Sequence, residues 1–354
     1  MKKSDLQNKL SQLWSAVIVV DGCVSKSSTT TAQIIFHRDR IHVYGPYGYG
    51  EALLPEAFDF SEIVSLPGSE ITTLLTAAPE GELKLILKDS ALIVKSMRFK
   101  GTVPVQILDD LPEPIDLGKI SDEIDLDEEQ WGSLRFASEF TAKAGYSMPE
   151  LTCVYWGVEG IVACNGLSVL HYPTAVRQGS VLLPQAALLG TFKLPGSPKR
   201  VTIGDYHLRW DWDAFRIITP SAIGDYPVNR LLEIIEAARQ GASTWTCVSV
   251  RLRDAVARLS LVADTLRLTF HPQKLLIQAD ANVQATEVVA GKLEDETGVA
   301  SKQFFFGTSE AKRFVADTDL NWRMNADAKA PNLVILTDNE LYCIGTILTA
   351  EEAA

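Results

Sequence analysis

Five histidines, His37, His42, His171, His207 and His271, are the first candidates for acid–base or metal chemistry. None stands in an HxxxH or comparable ligand spacing beside a carboxylate motif. His37 and His271 recur at equivalent points of two similar segments, which reads as a shared turn, since a catalytic base needs no duplicate. "GPYGYGE" (Gly45–Glu51) hints at a glycine loop but lacks the lysine and helix start of a phosphate cradle. No GxSxG occurs. Asp211 and Asp213 in "WDWD" could act as paired acids, yet strand alternation puts both acids on one face and Trp210 and Trp212 on the other. An amphipathic strand accounts for that pattern. The five cysteines, Cys23, Cys153, Cys164, Cys247 and Cys343, are odd in number and widely spaced, without CxxC. They suit neither a disulfide framework nor a zinc site. Most lie in apolar strand patterns, as small hydrophobes. The expectation is a protein with no catalytic residues, no cofactor and no metal, and so not an enzyme.

What the chain must position is therefore a surface. Its 354 residues, 46% hydrophobic and 22% charged, suit two or three globular domains. No run of about 18 uncharged apolar residues predicts a membrane span. Asp5, Gln7, Asn8 and Lys9 interrupt any signal-peptide core, so a cytoplasmic location is expected. The formal charge of −12 looks unsuited to nucleic acid, but it is unevenly spread. Asp109–Gln130 holds ten acidic residues and one lysine. The folded parts are nearly neutral, and an acidic linker does not exclude a basic face elsewhere.

"IIFHRDRIHV" (Ile34–Val43) is echoed by "LTFHPQKLLI" (Leu268–Ile277), and "VYWGVEGIVA" (Val154–Ala163) lies between them. Phe36, Trp156 and Phe270 match, as do Ile41, Ile161 and Leu275. Each copy alternates apolar and polar residues on both arms of a short turn, the pattern of a half-buried hairpin. Helix-patterned stretches precede the copies: Ser4–Trp14, with Ser4 as a plausible N-cap, Glu129–Ala144 and Arg251–Val262. Strand-then-helix stretches follow at Val64–Ala78, Val181–Phe192 and Phe304–Thr318, and further strands close each copy. The expected fold class is α+β, with three tandem copies of a unit that lays two helices on one face of antiparallel sheets. The boundaries read as a first domain over 1–108, the linker over 109–130, a second domain over 131–242 and a third over 243–354. Sheets extended edge to edge would leave an open edge at each end, which a second copy, head to tail, closes.

At this point the sequence resembles the bacterial-type DNA sliding clamp, the beta processivity subunit of DNA polymerase III, in a divergent form for which a phage origin is one expectation. Five stretches carry the resemblance: "MPELTCVYWGVEGIVACNGLSVL" (Met148–Leu170) with Asn165 for the usual Asp, "SVLLPQAALLGTF", "FRIITPSAIGDYPVNRLL" (Phe215–Leu232), "LRDAVARLSLVAD" and "ELYCIGTIL". It implies a homodimeric six-domain ring that encircles double-stranded DNA without reading sequence and tethers a replicative polymerase. The alternative is a non-enzymatic structural or interaction protein with the same fold that does not hold DNA.

The resemblance places the helices around the hole, with Lys2, Lys3, Lys9, Lys26, Arg135, Lys143, Lys193, Lys199, Arg200, Arg251, Arg253, Arg258, Lys312 and Arg313 as candidate phosphate contacts. It implies a groove for short apolar peptides of the polymerase and clamp loader, walled by Leu151, Gly166, Leu167, Val169, Pro227, Leu231, Leu232, Cys343, Ile344 and Ile347. Leu167 and Ser168 stand where the family carries His-Arg, which changes the polar rim. The subunit contact is expected along the strand Phe99–Leu108, through Phe99, Val105 and Ile107, against Leu261 and Val262. Pro104 suits an edge strand there.

Overall fold

The repeated segment folds the same way three times in the computed structural model of the chain. The structure describes residues 1–24, 32–166, 168–173, 179–239, 243–247, 249–280, 284–294, 303–308, 311–312, 320–325, 332–336 and 342–346. Phe36 faces Ile41, Trp156 faces Ile161, and Phe270 faces Leu275 across antiparallel pairs. His37–Arg40, Gly157–Gly160 and His271–Lys274 close the three turns. All three aromatic rings are at most 1% exposed, as an inward-facing strand position demands.

The first repeat runs α1 (Lys3–Val24), β1 (Gln33–His37), β2 (Arg40–Tyr44), β3 (Tyr49–Leu53), β4 (Ile63–Pro67), α2 (Gly68–Ala77), β5 (Lys84–Lys88), β6 (Ala91–Ser96) and β7 (Phe99–Pro104). Two short strands follow, β8 (Gln106–Leu108) and β9 (Asp122–Asp125). The second repeat comprises α3 (Glu128–Ser138), a 3-10 turn over Pro149–Thr152, β10 (Cys153–Gly157), β11 (Gly160–Cys164), β12 (Ser168–Tyr172), β13 (Val181–Pro184), α4 (Gln185–Thr191), β14 (Arg200–Ile203), β15 (His207–Asp211) and β16 (Phe215–Pro220). After α5 (Val228–Arg239) and β17 (Ser243–Cys247) comes the third. It has α6 (Ser249–Leu259), β18 (Thr265–His271), β19 (Lys274–Asp280), β20 (Gln284–Glu294), β21 (Gln303–Gly307), β22 (Leu320–Asn325), β23 (Asn332–Leu336) and β24 (Tyr342–Thr346). No helix among the described residues is long and apolar enough to cross a membrane.

Two compact units cut across the repeats. One is Met1–Arg135 with Val181–Gly224, and the other is Phe136–Ser180 with Asp225–Ala354. Strand pairing gives the reason. In the first unit the order is β8-β4-β1-β2-β3-β16-β15-β14-β9, with β5-β6-β7 as a separate sheet. In the second, β10-β11-β12-β24-β23-β22-β17-β20-β19-β18-β21 runs as one sheet. Both internal junctions obey one rule: the third strand of a repeat pairs with the last strand of the next, β3 with β16 and β12 with β24.

Helix α1 has its apolar face built by Leu6, Leu10, Leu13, Val17 and Val20, all at most 1% exposed. Each such side chain contributes about 2 kcal/mol of burial. The helix lies on β3 and against α4. That approach needs Gly190, where a Cβ would come 2.7 Å from the Ala16 carbonyl. The helix begins at Lys3, so Ser4 sits inside its first turn rather than capping it.

Two further expectations are corrected. The connector is no free spacer, since Asp122–Asp125 pairs with β14 and Leu117 O accepts from Asp205 N at 3.0 Å. The strand expected over Phe99–Leu108 breaks at Val105, whose amide bonds Ser90 O at 3.0 Å. Phe99 lies on β7, while Ile107 lies on β8 beside Val64 of another sheet.

The β3–β16 junction carries a charged lattice. Glu51 is opposite Arg216 in register and is ion-paired with Arg40. Asp211 accepts from Arg216 Nε at 2.6 Å and from Arg209 Nε at 2.9 Å, so one acid of the "WDWD" segment is held between two guanidiniums. His42 lies beside this lattice at 2% exposure, and its Nδ1 is 2.9 Å from Tyr49 Oη. Burial lowers its pKa to about 4, with His37 and Arg40 adding to the shift. A folded value below the unfolded one of about 6.5 means that the unfolded chain binds the proton first. Stability is then fully present above about pH 6.5 and is lost as pH falls toward 4, by about 3 kcal/mol. Urea unfolding at pH 7.5 and 4.5 should show His42→Gln losing about that much less than the parent chain.

Candidate functional site

In the second unit, the residues expected to wall a peptide groove lie on adjoining elements. Val169 is opposite Ile344 and Leu170 is opposite Cys343 across β12 and β24, and α5 packs over both strands. Leu151, on the 3-10 turn beside β10 and β11, is 4% exposed, while Val169 and Leu231 are each 7% exposed. Pro227 and Leu232 are half-buried, and Gly166 is exposed. Leu167 and Ile347 lie outside the described residues.

The turn after β11 explains how Asn serves where the family has Asp. Asn165 Oδ1 accepts from Ser168 N at 2.7 Å, a task that either side chain performs. Gly166 has φ +88, and a Cβ there would lie 2.1 Å from Tyr146 Oη, so only glycine lets that ring lie against the turn. Tyr146 and Met148, 42% and 44% exposed, add apolar surface that sequence reading missed. Tyr226 was missed as well, although it is the aromatic of the quoted "GDYP". It is 8% exposed with its ring centroid 5.6 Å from that of Tyr155, and burial raises its phenol pKa well above the usual value.

The expected DNA contacts divide by how their charges are already engaged. Lys3 is a correction. It is 4% exposed, and Nζ donates to Ala78 O at 2.6 Å and to Glu80 Oε1 at 3.0 Å, so it ties the end of α2 to α1 and does not face solvent. Lys2 is exposed and bridges to Glu82 through the backbone. Lys9 donates to Leu53 O and lies 5.9 Å from the Phe215 ring centroid. Lys199 pairs with Asp213 at 2.5 Å, and Arg200 with Asp125 at 2.8 Å. Arg258 forks onto Glu287 at 2.5 and 3.2 Å. Arg135 sits 5.7 Å from the Phe192 ring centroid, and Arg253 is half-buried. Exposed pairs of this kind contribute about 0–1 kcal/mol, so a phosphate could compete for these cations cheaply. Lys143, Lys193, Arg251 and Lys312 are exposed and make no ion pair among the described residues. Lys26 and Arg313 lie outside the described residues.

No family model matches the sequence, and no curated protein does. Solved structures do. The beta sliding clamp of C. crescentus superposes with a TM-score of 0.79 at 16% identity, covering 99% of this chain and 98% of that one. The fold is that of a bacterial DNA sliding clamp. The DNA polymerase sliding clamp of Pseudomonas aeruginosa gives 0.75 at 15% identity, again over 99% and 98%. The Helicobacter pylori beta clamp, solved bound to a DNA ligase peptide, gives 0.79 at 14% identity over 99% of both chains. The sliding-clamp fold accounts for the threefold recurrence of one hairpin, and it spans the whole chain rather than one repeat.

Proposed function

We propose that this chain is a DNA sliding clamp, a non-enzymatic ring that encircles duplex DNA as a head-to-tail homodimer and tethers a replicative polymerase by a short apolar peptide. One observation carries the reading. The junction rule leaves a matched pair of unused strands. β20 is the third strand of the last repeat, and β7 is the last strand of the first. Among the described residues, Gln284–Ala290 of β20 pairs only with β19, and β7 ends its sheet. Val288 of β20 is 58% exposed, whereas Glu51, at the same register position of β3, is 9% exposed. Leu261 and Val262, at 83% and 38% exposure, add apolar surface suited to the subunit contact.

Holding DNA by topology asks little of the cations. Scattered lysines and arginines supply a sequence-independent, salt-dependent attraction through counterion release. The groove of the second unit offers the apolar wall for partner peptides, and the Helicobacter clamp with its ligase peptide supports that kind of partner. Retention on nicked circular DNA tests the reading. The protein should stay bound through gel filtration and be lost when the circle is cut. Equal loss from circular and linear DNA would sink it.

The two kinds of lysine and arginine should separate cleanly. Arg251→Glu should weaken DNA association and flatten the log–log salt dependence by about one unit, as expected for one phosphate contact. Lys3→Met should leave DNA association unchanged and cost about 2 kcal/mol of stability, because the buried Ala78 carbonyl loses its charged donor. Salt-titrated binding and urea unfolding read the two effects.

A further inference from the structure

In the first unit, a cavity of about 650 Å3 lies beside the β3–β16 junction. His37, Arg38, Arg40, His42, Tyr49 and Glu51 line it, together with Leu111 and Pro114 of the acidic connector. Strand registers make this the counterpart of the groove in the second unit. Tyr44 is opposite Tyr49, and Tyr49 is opposite Ile218. Cys164 is opposite Val169, and Val169 is opposite Ile344. Tyr44, Tyr49 and Ile218 thus stand at the first junction where Cys164, Val169 and Ile344 stand at the second.

Something already sits there. Tyr44 Oη donates to Pro112 O at 2.7 Å, so the segment "LPEP" (Leu111–Pro114) rests where a docked peptide would. Arg40 is already paired with Asp39 and Glu51 of the same lining, but Arg38 makes no ion pair among the described residues, while Asp109, Asp110, Glu113 and Asp116 flank or belong to the segment. A polar group is also left over. Tyr49 donates its hydroxyl proton to Glu51 Oε2 at 3.1 Å, so it accepts from His42 Nδ1, and neutral His42 keeps a bare lone pair on Nε2. That buried nitrogen has no partner among the described residues. It suits an N–H or O–H donor carried by a ligand.

We propose that the first junction is a second peptide groove, filled in cis by Leu111–Pro114, and that its ligand in trans is a short acidic, proline-containing peptide that must displace the connector. The parallel with the second junction rests on the clamp reading, whereas the Tyr44–Pro112 bond, the cavity and His42 do not. A labelled peptide of the sequence Asp109–Asp116 is the probe, used on the full chain. A chain with Leu111→Gly, Pro112→Gly and Pro114→Gly should bind it about tenfold tighter than the parent, because a tethered competitor at high effective concentration has been removed. The stoichiometry should be one peptide per chain. Leu111→Ala, which leaves the rest of the connector intact, should give a smaller rise. Adding Arg38→Glu to the opened chain should abolish the gain. Equal binding by the parent and both connector variants overturns the proposal, and so does a gain that survives Arg38→Glu. DNA retention is measured separately, so loss of one result leaves the other standing.

Discussion

Chains carrying Thr102→Cys and Thr286→Cys together should oxidise to a closed covalent dimer, at twice the 38.8 kDa chain mass, while either single variant remains uncrosslinked. The register comes from the two junctions already formed. Tyr49 is opposite Ile218 at the first, and Val169 is opposite Ile344 at the second. Counting from the matched hairpins, Thr286 of β20 occupies the place of Tyr49 and Val169. Counting from the matched turns, Thr102 of β7 occupies the place of Ile218. If the same joint forms between copies, these threonines face one another, Phe99 falls opposite Val289, and Val288 falls opposite Lys100. Directly opposed residues of an antiparallel pair lie about 4.5–5.5 Å apart, within the span of a disulfide. Cys153 and Cys164 are buried and should not compete. A one-residue slip would turn every side chain to the wrong face, so the experiment reads register as well as association. Faster bridging when Thr102→Cys is combined with Val288→Cys instead of Thr286→Cys would show that the joint forms in another register. The sealed dimer should also stay on nicked circles far longer than the unsealed one.

Gly160→Ala should cost about 4 kcal/mol, near the upper end for a single substitution. Gly160 closes the middle hairpin with φ +105, and a Cβ there would lie 1.9 Å from the Tyr172 carbonyl, a backbone atom that cannot step aside without breaking the β11–β12 pairing. Gly132 is the control. It lies in α3 with nothing within 4 Å of the position of a Cβ. Gly132→Ala should stabilise by about 0.5–1 kcal/mol through helix propensity and a less floppy unfolded chain. Urea midpoints read both, and similar values for the two would contradict this account of the turn.

Why the repeats were legible in the sequence follows from the hairpin itself. A period-two pattern with an aromatic at one fixed place is a local signal, and Phe36, Trp156 and Phe270 hold that place through burial alone. The turn differs in chemistry each time, yet its length is kept, because length sets register. What could not be read depended on distant chain. Lys3 looked like any solvated lysine, and its acceptor is the backbone carbonyl of Ala78, 75 residues away, which has no sequence signature. Asp122–Asp125 looked like linker because three of its four residues are acids, yet it lies along a sheet edge, where charge is a normal protection. The DNA-facing list suffered in the same way. Charge is visible in a sequence, but Asp125, Asp213 and Glu287, which already hold three of those cations, are not visibly their neighbours. Tyr146 and Met148 were passed over because the loop around them carries no periodicity.

The repeated joint also bears on where such a hoop could part. Inside a chain, β3 cannot leave β16 without tearing a Glu51–Arg216 contact and the sheet on either side of it. A corresponding seam between copies would have no covalent tether across it and would lie at an already finished edge. Prying there would expose two strands and leave every core intact, so a machine that threads DNA through such a hoop would find its gate at that seam.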